Sequence, residues 1–457
     1  MISIFSKRKL LIAITLMPIL ACQAKETSFI TSTDQSLRKR QTQSIATKFS
    51  KIQQKLQKHF YRCATNKPTP RITESPSTFP SSAPSATVIW SELDSGLPES
   101  DVDGTSIAFG TSLALSRKGT SLVVGGTSGS FFLFQSGTSI QEDLSDWTKT
   151  DLSFPFSSSN TIQSCDISGD GNFIVAGELS TGSPGKVTVF FNSTLFGGSW
   201  QIKGTSLSAR VNGDLFGWDV SISDEGDKII VGAPGARPAY IRVASFFQDD
   251  DWVSTDIEST IEGFGLSVSM SNDGATAVVG ATEGNGTLEV LDVDNLLNGN
   301  ETIFEGIGDG FGGAISMSGD GETVIAGTDE GEYFSVYALN TELDDDDHLP
   351  QWEQIGDFTF GTSDQSSFGQ AVAVSDNGNR VIIGAQTHDV TGSETLDGKV
   401  FIYGSKVIPP KFIGVFSTDT PGNFGAAVAM SGDGKMIAVG NPMAGEVRVF
   451  QGTASDQ

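Results

Sequence analysis

A similar stretch recurs seven times in this chain of 457 residues. Each copy usually begins with Phe-Gly, runs through an alternating segment into Ser-x-Asp-Gly, and ends with a second apolar segment and Gly or Gly-Ala. The clearest copies are FGLSVSMSNDGATAVVGA from Phe264 and FGAAVAMSGDGKMIAVG from Phe424. Repeats of this kind are typical of solenoids and propellers, so the repeat constrains the architecture more than chain length does.

The spacing of the repeat indicates units that each hold about four strands. The Ser-x-x-Gly turns end at Gly119, Gly171, Gly226, Gly274, Gly321, Gly378 and Gly434, with spacings of 52, 55, 48, 47, 57 and 56 residues. After Phe311, large Ile315 and Met317 alternate with small Ala314 and Ser316. This period of two predicts a strand with one large and one small face, followed by a tight hairpin turn that Asp and Gly stabilise.

We therefore predict an all-β fold, a seven-bladed β-propeller of four-stranded antiparallel blades, over residues 86–451. Outer fourth strands often carry tryptophan, as at Trp200 and Trp352. The chain ends soon after the third strand of the last unit, whereas Thr87–Trp90 resembles a fourth strand without a blade. We expect this early strand to complete the seventh blade, which removes the free sheet edges and closes the ring.

The residues before the repeats predict an export signal and a basic segment. Lys7, Arg8 and Lys9 precede a short apolar run, so residues 1–24 are predicted to be a signal peptide, cleaved after Ala21 or Ala24. An alternative is a bacterial lipobox with lipidation of Cys22. Residues 25–65 are polar and basic, with a processing-like string at residues 38–40 and an amphipathic helix predicted at 44–63. Residues 66–85 predict a Pro/Ser/Thr-rich linker, and residues 452–457 a disordered tail.

Charge divides sharply along the chain. Residues 1–72 hold 14 Lys and Arg against 2 Asp and Glu, a net of +12, and the remainder holds 15 against 53, a net of −38. An acidic body repels nucleic acid and anionic lipid and attracts basic partners. We expect these carboxylates to keep the protein soluble and monomeric, and no later segment is apolar enough to span a membrane.

Three glycosylation motifs and few cysteines fit a secretory route. The motifs lie at Asn192, Asn285 and Asn300, and we expect them in turns between strands. If Cys22 is removed, Cys63 and Cys165 remain and could pair in an oxidising compartment. Cys165 aligns with apolar residues of other repeats, which favours a small buried side chain.

The repeats resemble FG-GAP repeats, found in the propeller of integrin α-subunits and in many secreted or surface proteins. Phe216-Gly217 followed by Gly232-Ala233-Pro234 carries the whole motif, whereas the second repeat has Thr161-Ile162 in place of Phe-Gly. The resemblance implies a seven-bladed ring used in extracellular recognition or adhesion. Several FG-GAP blades hold calcium in an Asp-rich loop, but the loops here are too short, so no cofactor is carried over.

Few residues suggest chemistry. Asp344, Asp345, Asp346 and Asp347 form the strongest acidic run, a weak calcium candidate that more simply reads as a solvated loop, as does the shorter run Asp249–Asp251. Asp166 and Asp219 stand where other repeats have small residues. If these strands line the propeller axis, both carboxylates face the channel, where they either bind a polar ligand or accept structural hydrogen bonds.

We find no nucleophile, phosphate-binding or zinc motif, and therefore expect a non-enzymatic protein. The leading hypothesis is a secreted or cell-surface propeller that binds an extracellular protein or glycan through its loop faces. One alternative is a carbohydrate-active enzyme with an Asp/Glu pair on one propeller face. Another is a lipidated bacterial envelope propeller.

Overall fold

The structure is a computed structural model that describes residues 90–452, with gaps at 94–96, 99–107, 137–146, 154, 158, 180–183, 194–197, 247–250, 297–301, 308–309, 329–332, 341–350, 362–366, 387–397, 406–409 and 419–421. All described residues lie in the second of two compact units, Pro80–Gln457. The predicted signal peptide, basic helix, linker and tail beyond Gly452 fall outside the described residues. Among those described, no helix is long and apolar enough to cross a lipid bilayer.

Seven antiparallel sheets of four main strands form the blades, which confirms the predicted fold. Blade 1 holds β3 (Ser112–Leu115), β4 (Ser121–Gly125), β5 (Phe131–Gln135) and β6 (Thr148–Asp151). Blade 2 holds β7 (Thr161–Ile167), β8 (Phe173–Leu179), β9 (Lys186–Ser193) and β10 (Ser199–Ile202), with the short β11 (Leu207–Ser208) on β9. Blade 3 holds β12 (Val220–Ile222), β13 (Lys228–Ala233), β14 (Ala239–Phe246) and β15 (Trp252–Ser259).

The remaining blades repeat this order. Blade 4 holds β16 (Ser267–Met270), β17 (Thr276–Ala281), β18 (Thr287–Asp292) and β19 (Thr302–Glu305), with a 3-10 turn at Val293–Asn295. Blade 5 holds β20 (Phe311–Met317), β21 (Thr323–Thr328), β22 (Tyr333–Asn340) and β23 (Gln351–Gln354), with β24 (Thr359–Phe360) on β22. Blade 6 holds β25 (Phe368–Val374), β26 (Arg380–Ala385), β27 (Lys399–Gly404) and β28 (Lys411–Ser417).

Blade 7 closes the ring with strands from both ends of the described chain. Its strands are β29 (Val428–Met430), β30 (Met436–Asn441), β31 (Glu446–Gly452) and β1 (Trp90–Glu92), with β2 (Leu97–Pro98) also on β31. Trp90 pairs with Gly452 and Glu92 with Phe450, so an early strand is the outermost strand of the last blade, as predicted. The described strand spans Trp90–Glu92, whereas the predicted strand spans Thr87–Trp90, of which residues 87–89 fall outside the described residues. The last strand ends at Gly452, one residue beyond the predicted boundary.

The hydrophobic core lies between neighbouring blades. Seven clusters of buried residues occupy the seven blade interfaces, and each combines side chains of two adjacent sheets. The phenylalanines of all six Phe-Gly pairs are buried in them, and Ile162 replaces phenylalanine in blade 2. Cys165 is a free thiol, 6% exposed, in the cluster between blades 1 and 2, as its alignment with apolar residues predicted.

Paired glycines explain why the repeat needs both Phe-Gly and Gly-Ala. The second-strand glycine of one blade lies against the Phe-Gly carbonyl of the next blade. A Cβ atom on Gly280 would stand 1.9 Å from the oxygen of Gly312, and one on Gly232 would stand 1.9 Å from that of Gly265. Such contacts exclude any side chain. At the interface of blades 1 and 2, Gly125 meets the side chain of Ile162 instead.

The Ser-x-Asp-Gly turns are stabilised by one repeated hydrogen-bond pattern. In blade 4 the Ser271 hydroxyl donates to Asp273 Oδ1 at 2.6 Å and accepts from the backbone N–H of Thr276 at 3.0 Å. Gly274 has a φ of 65°, a conformation that glycine adopts without steric cost. Asn377 replaces the aspartate in blade 6 with the same contacts.

The propeller has two distinct faces. We call the face that holds the seven Ser-x-x-Gly turns the turn face. The opposite face holds the loops between second and third strands, and the connections that lead from each fourth strand into the next Phe-Gly pair. We call it the FG face.

Candidate functional site

The seven innermost strands surround a central channel. Each contacts the next around the ring, and β29 contacts β3. The channel holds a cavity of about 380 Å³ lined by one segment from every blade. Its wall is polar along blades 2 to 4, with Ser164, Asp166, Asp219, Ser221, Ser267 and Ser269. Alanines line blades 6 and 7, at Ala371, Ala373, Ala426, Ala427 and Ala429. The structure therefore places both predicted channel carboxylates in the channel wall.

Asp219 ties three blades together. Its Oδ1 accepts the Ser164 hydroxyl of blade 2 at 2.7 Å and the backbone N–H of Val220 at 3.0 Å. Its Oδ2 accepts from blade 4, namely the backbone N–H of Val268 at 2.7 Å and the hydroxyl of Ser267 at 3.2 Å. Four donors saturate this carboxylate, and burial among protein atoms raises its pKa.

Asp166 ties blade 2 to blade 3. Its Oδ2 accepts the Ser221 hydroxyl at 2.9 Å and the backbone N–H of Ile222 at 3.0 Å, and its Oδ1 accepts from Ile167 at 2.8 Å. Channel solvent reaches the carboxylate, but the surrounding protein desolvates it. This burial raises the pKa of Asp166 to about 6, against the opposing effect of its hydrogen bonds.

Serine hydroxyls continue this tie into blade 5. Ser267 accepts the backbone N–H of Ile315 at 3.1 Å, and Ser269 accepts that of Met317 at 3.0 Å. The polar side chains of the channel wall therefore bond backbone groups of the following blade. Alanine takes the corresponding positions in blades 6 and 7, so these blades lack this side-chain tie.

A closed ring of hydrogen bonds surrounds the turn-face end of the channel. The second residue of each Ser-x-x-Gly turn contributes to it, and in blade 5 the third residue, Asp320, contributes as well. The links are Arg117 N to Gly169 O, Gly169 N to Asp224 Oδ1, Asp224 N to Asn272 O, Asn272 N to Gly319 O, Asp320 N to Asp376 O, Asp376 N to Gly432 O, and Gly432 N to Arg117 O.

Arg117 spans this end of the channel. Its Nε donates to Asp376 Oδ2 of blade 6 at 2.7 Å, and its Nη2 pairs with Asp224 Oδ2 of blade 3. A second cavity of about 150 Å³ lies beneath it and shares Asp166 with the channel wall. Sequence reasoning missed Arg117, because one arginine in one turn carries no signal that it meets turns of two distant blades.

The exposed large apolar side chains of the described residues lie on the FG face and at the rim. Among the described residues, large hydrophobic side chains on the FG face are exposed at Val211, Leu215, Ile307, Phe360 and Met443. Four others, Ile202, Val253, Ile303 and Val415, lie on fourth strands at the rim. The described part of the turn face exposes none of this kind. A contiguous exposed apolar patch is typical of an interaction site, and Val211 and Leu215 lie close together in one loop of this face.

The predicted glycosylation motifs lie in different environments. Asn285 is exposed in the turn between β17 and β18, as predicted. The expectation of a turn is wrong for Asn192, which lies within β9 opposite Trp200 and has its side-chain oxygen enclosed by protein. The expectation fails because β9 continues to Ser193 and so includes Asn192. Asn300 falls outside the described residues.

The acidic runs offer no described metal site. Asp344 to Asp347, Asp249 and Asp250 lie outside the described residues. Asp251 accepts hydrogen bonds from Thr205 and from the backbone N–H of Trp252, which lower its pKa. In the described ranges, no group of three His, Cys, Asp or Glu side chains is placed to hold a metal ion.

Comparisons with known proteins support the fold alone. The chain resembles the crystal structure of the Myceliophteria thermophila Cps50 (Swd1) β-propeller domain, with a TM-score of 0.56 and 12% sequence identity. The match covers 80% of this chain and all of that domain. No family model matches the chain. No curated protein sequence matches it either. These findings define the class as a seven-bladed β-propeller.

Proposed function

We propose that this chain is a secreted or cell-surface recognition propeller of the FG-GAP type that binds an extracellular protein or glycan through its FG face. The observation that carries the proposal is the set of exposed large apolar side chains on the described part of the FG face, at Val211, Leu215, Ile307, Phe360 and Met443. The centre of the opposite face is spanned by the Arg117 ion pairs. Apolar side chains that desolvate on contact supply much of the energy of binding.

The hydrogen bonding of the channel favours recognition over the alternative of a carbohydrate-active enzyme. A glycosidase needs two carboxyl groups that can reach the substrate, one as general acid and the other as general base or nucleophile. Asp219 already accepts four hydrogen bonds and Asp166 accepts three, all from protein groups. Structural ties account for both carboxylates without a catalytic role.

Mass spectrometry of the mature protein tests the secretory part of the proposal. We expect an N-terminus after Ala21 or Ala24 and a glycan on Asn285, because that side chain lies in an exposed turn. We expect Asn192 to carry none, because it lies within β9, paired with Trp200 of β10, and not in a turn. A lipid on Cys22 would instead support the bacterial envelope alternative.

Two matched triple variants test the use of the FG face. One replaces Ile307, Phe360 and Met443 with serine, and the other replaces Ile202, Ile303 and Val415 at the rim. Both remove three exposed apolar side chains. On a glycan array and an array of purified extracellular proteins, we expect the FG-face variant to lose wild-type binding and the rim variant to keep it. Loss with the rim variant alone, or cleavage of arrayed glycans, would contradict the proposal.

A further inference from the structure

The blade 3 loop at residues 209–217 carries two exposed aliphatic side chains on the FG face. We define it, together with the adjoining residues 234–238, as the blade 3 knob. Val211 is 61% exposed and Leu215 is 37% exposed, so two aliphatic side chains point outward within one short loop. The rest of the loop is held by buried groups.

Asp214 anchors the blade 3 knob from below. Its side chain is 3% exposed, and its Oδ2 accepts the backbone N–H of Val211 and the hydroxyl of Tyr240, each at 3.1 Å. Its carbonyl accepts the backbone N–H of Gly235 at 3.0 Å, and the Leu215 carbonyl accepts that of Trp218 at 3.0 Å. The loop is therefore ordered before any partner arrives, which reduces the entropy lost on binding.

Leu215 adopts a conformation that leucine rarely takes. Its φ is 57°, in the left-handed region. The residue before Phe-Gly has a positive φ in other blades too, but there it is Gly263, Gly310, Asn423 or Ala108. Leucine cannot offset the strain with a local side-chain hydrogen bond, as asparagine can. Its side chain packs on Gly235 yet leaves a third of its surface in solvent.

We infer that the blade 3 knob is the contact centre for a protein partner that carries net positive charge and offers an apolar recess for Leu215 and Val211. This inference rests on the proposed use of the FG face and names its partner class. Residues 73–457 carry a net charge of −38, which steers a basic partner toward the propeller. The two arginines of the knob are already in ion pairs, Arg210 with Asp256 and Glu258 and Arg237 with Glu262, so the knob presents no unpaired positive charge to such a partner. Glycans are bound mainly by aromatic platforms and hydrogen bonds, whereas the knob presents aliphatic side chains.

Two substitutions in the full chain separate binding from folding. Leu215→Gly removes the apolar side chain and relieves the positive φ, and Gly263 and Gly310 show that glycine suits this position. Val211→Ser has a matched control in Val253→Ser, because Val253 is 62% exposed on the rim and Val211 is 61% exposed on the knob. We expect all three variants to melt close to the wild type.

The probe is a phage-displayed library of random peptides, selected on the immobilised wild-type protein. We expect enriched peptides to combine Lys or Arg with large apolar residues. Their affinity should fall about tenfold or more with Leu215→Gly and with Val211→Ser, and stay unchanged with Val253→Ser. Raising the salt concentration should slow their association more than it changes their dissociation.

The outcomes distinguish this inference from the proposed function. Suppose that the peptides bind both knob variants as well as the wild type but lose binding to the Ile307/Phe360/Met443 variant. This result would contradict the knob as the contact centre and would still support binding through the FG face. Glycan binding that depends on Leu215 would overturn the choice of a protein partner. If no FG-face substitution changes the binding of peptides or glycans, both the knob inference and the proposed function are contradicted.

Discussion

At the residue scale, the channel carboxylates are structural ties. Replacing Asp219 by asparagine keeps the shape but turns one acceptor oxygen into an amide nitrogen that faces two donors. Leaving buried donors unpaired costs about 2–4 kcal/mol of unfolding free energy. We expect the unfolding free energy of the Asp219→Asn variant to be lower than that of the wild type by this amount at pH 7, as measured by urea denaturation.

The matched control for Asp219→Asn is the same chemical change at Asp433 in the blade 7 turn. Asn377 already occupies the equivalent turn position in blade 6 and makes the same two kinds of hydrogen bond. Asp433→Asn should therefore stay within about 0.5 kcal/mol of the wild type. Equal losses at both positions would contradict the assigned role of Asp219.

Asp166 makes stability depend on pH in a defined direction. Its pKa of about 6 in the folded protein lies above the ordinary value of 3.8, because burial disfavours the charged form. Between these values the folded state binds more protons than the unfolded state, so this residue adds stability as pH falls from 7 toward 4.

We expect the unfolding free energy of the wild type, relative to that of Asp166→Asn, to rise by about 1–3 kcal/mol between pH 7 and pH 4.5. Comparison with the variant cancels the contribution to the pH dependence from carboxylates whose pKa values are lowered, such as Asp256 and Asp273. Urea denaturation at several pH values measures the difference. A constant difference, or one that shrinks as pH falls, would contradict a raised pKa at Asp166.

At the element scale, the Gly-Gly contact between blades is the most demanding packing constraint. A Cβ atom at Gly280 would stand 1.9 Å from the carbonyl oxygen of Gly312, so Gly280→Ala forces two backbones apart. We expect a loss of about 3 kcal/mol in unfolding free energy. Gly414→Ala is the control, because a Cβ atom at Gly414 in β28 meets nothing within 4 Å. A neutral Gly280→Ala would mean that the blades separate without cost.

The sequence predicted the strands well because their periodicity is local. The alternation after Phe311 and the turn at Ser318–Gly321 report on neighbouring residues, and β20 and β21 follow them. The contact between Gly280 and Gly312 joins two blades, and no local pattern shows which glycines meet. Arg117 was missed for the same reason, since its partners Asp224 and Asp376 come from blades 3 and 6.

For the candidate site residues, alignment of the repeats predicted their position in the fold but not their role. Asp166 and Asp219 were singled out because they replace small residues of a repeated strand, and both lie in the channel wall. Their role, ligand binding or joining of blades, depends on hydrogen-bond donors from other blades. The sequence does not show which donors meet these carboxylates. Leu215 gave no signal at all, because its importance lies in a φ of 57° and an outward side chain.

At the scale of the whole molecule, the ring is bonded unevenly. Side-chain hydrogen bonds along the channel wall join blades 2 to 5, whereas alanines occupy those positions in blades 6 and 7. The ring is also closed in blade 7 by a non-covalent pairing between distant parts of the chain. Blade 7 is therefore the position from which we expect the propeller to open.

Removing the early strand tests this closure directly. Deletion of residues 90–93 takes away β1 and also Leu93, which is 2% exposed in the cluster between blades 7 and 1 and donates its N–H to Val449 O at 2.8 Å. The edge of β31 then becomes available to other chains. We expect a loss on the order of 4 kcal/mol or more, with self-association visible by size-exclusion chromatography. A four-residue deletion at 80–83 in the predicted linker is the matched control and should change neither property. If both deletions leave a monomer of wild-type stability, β1 does not close the ring. In that case the pairing of β1 with β31 in blade 7 does not stabilise the closed propeller.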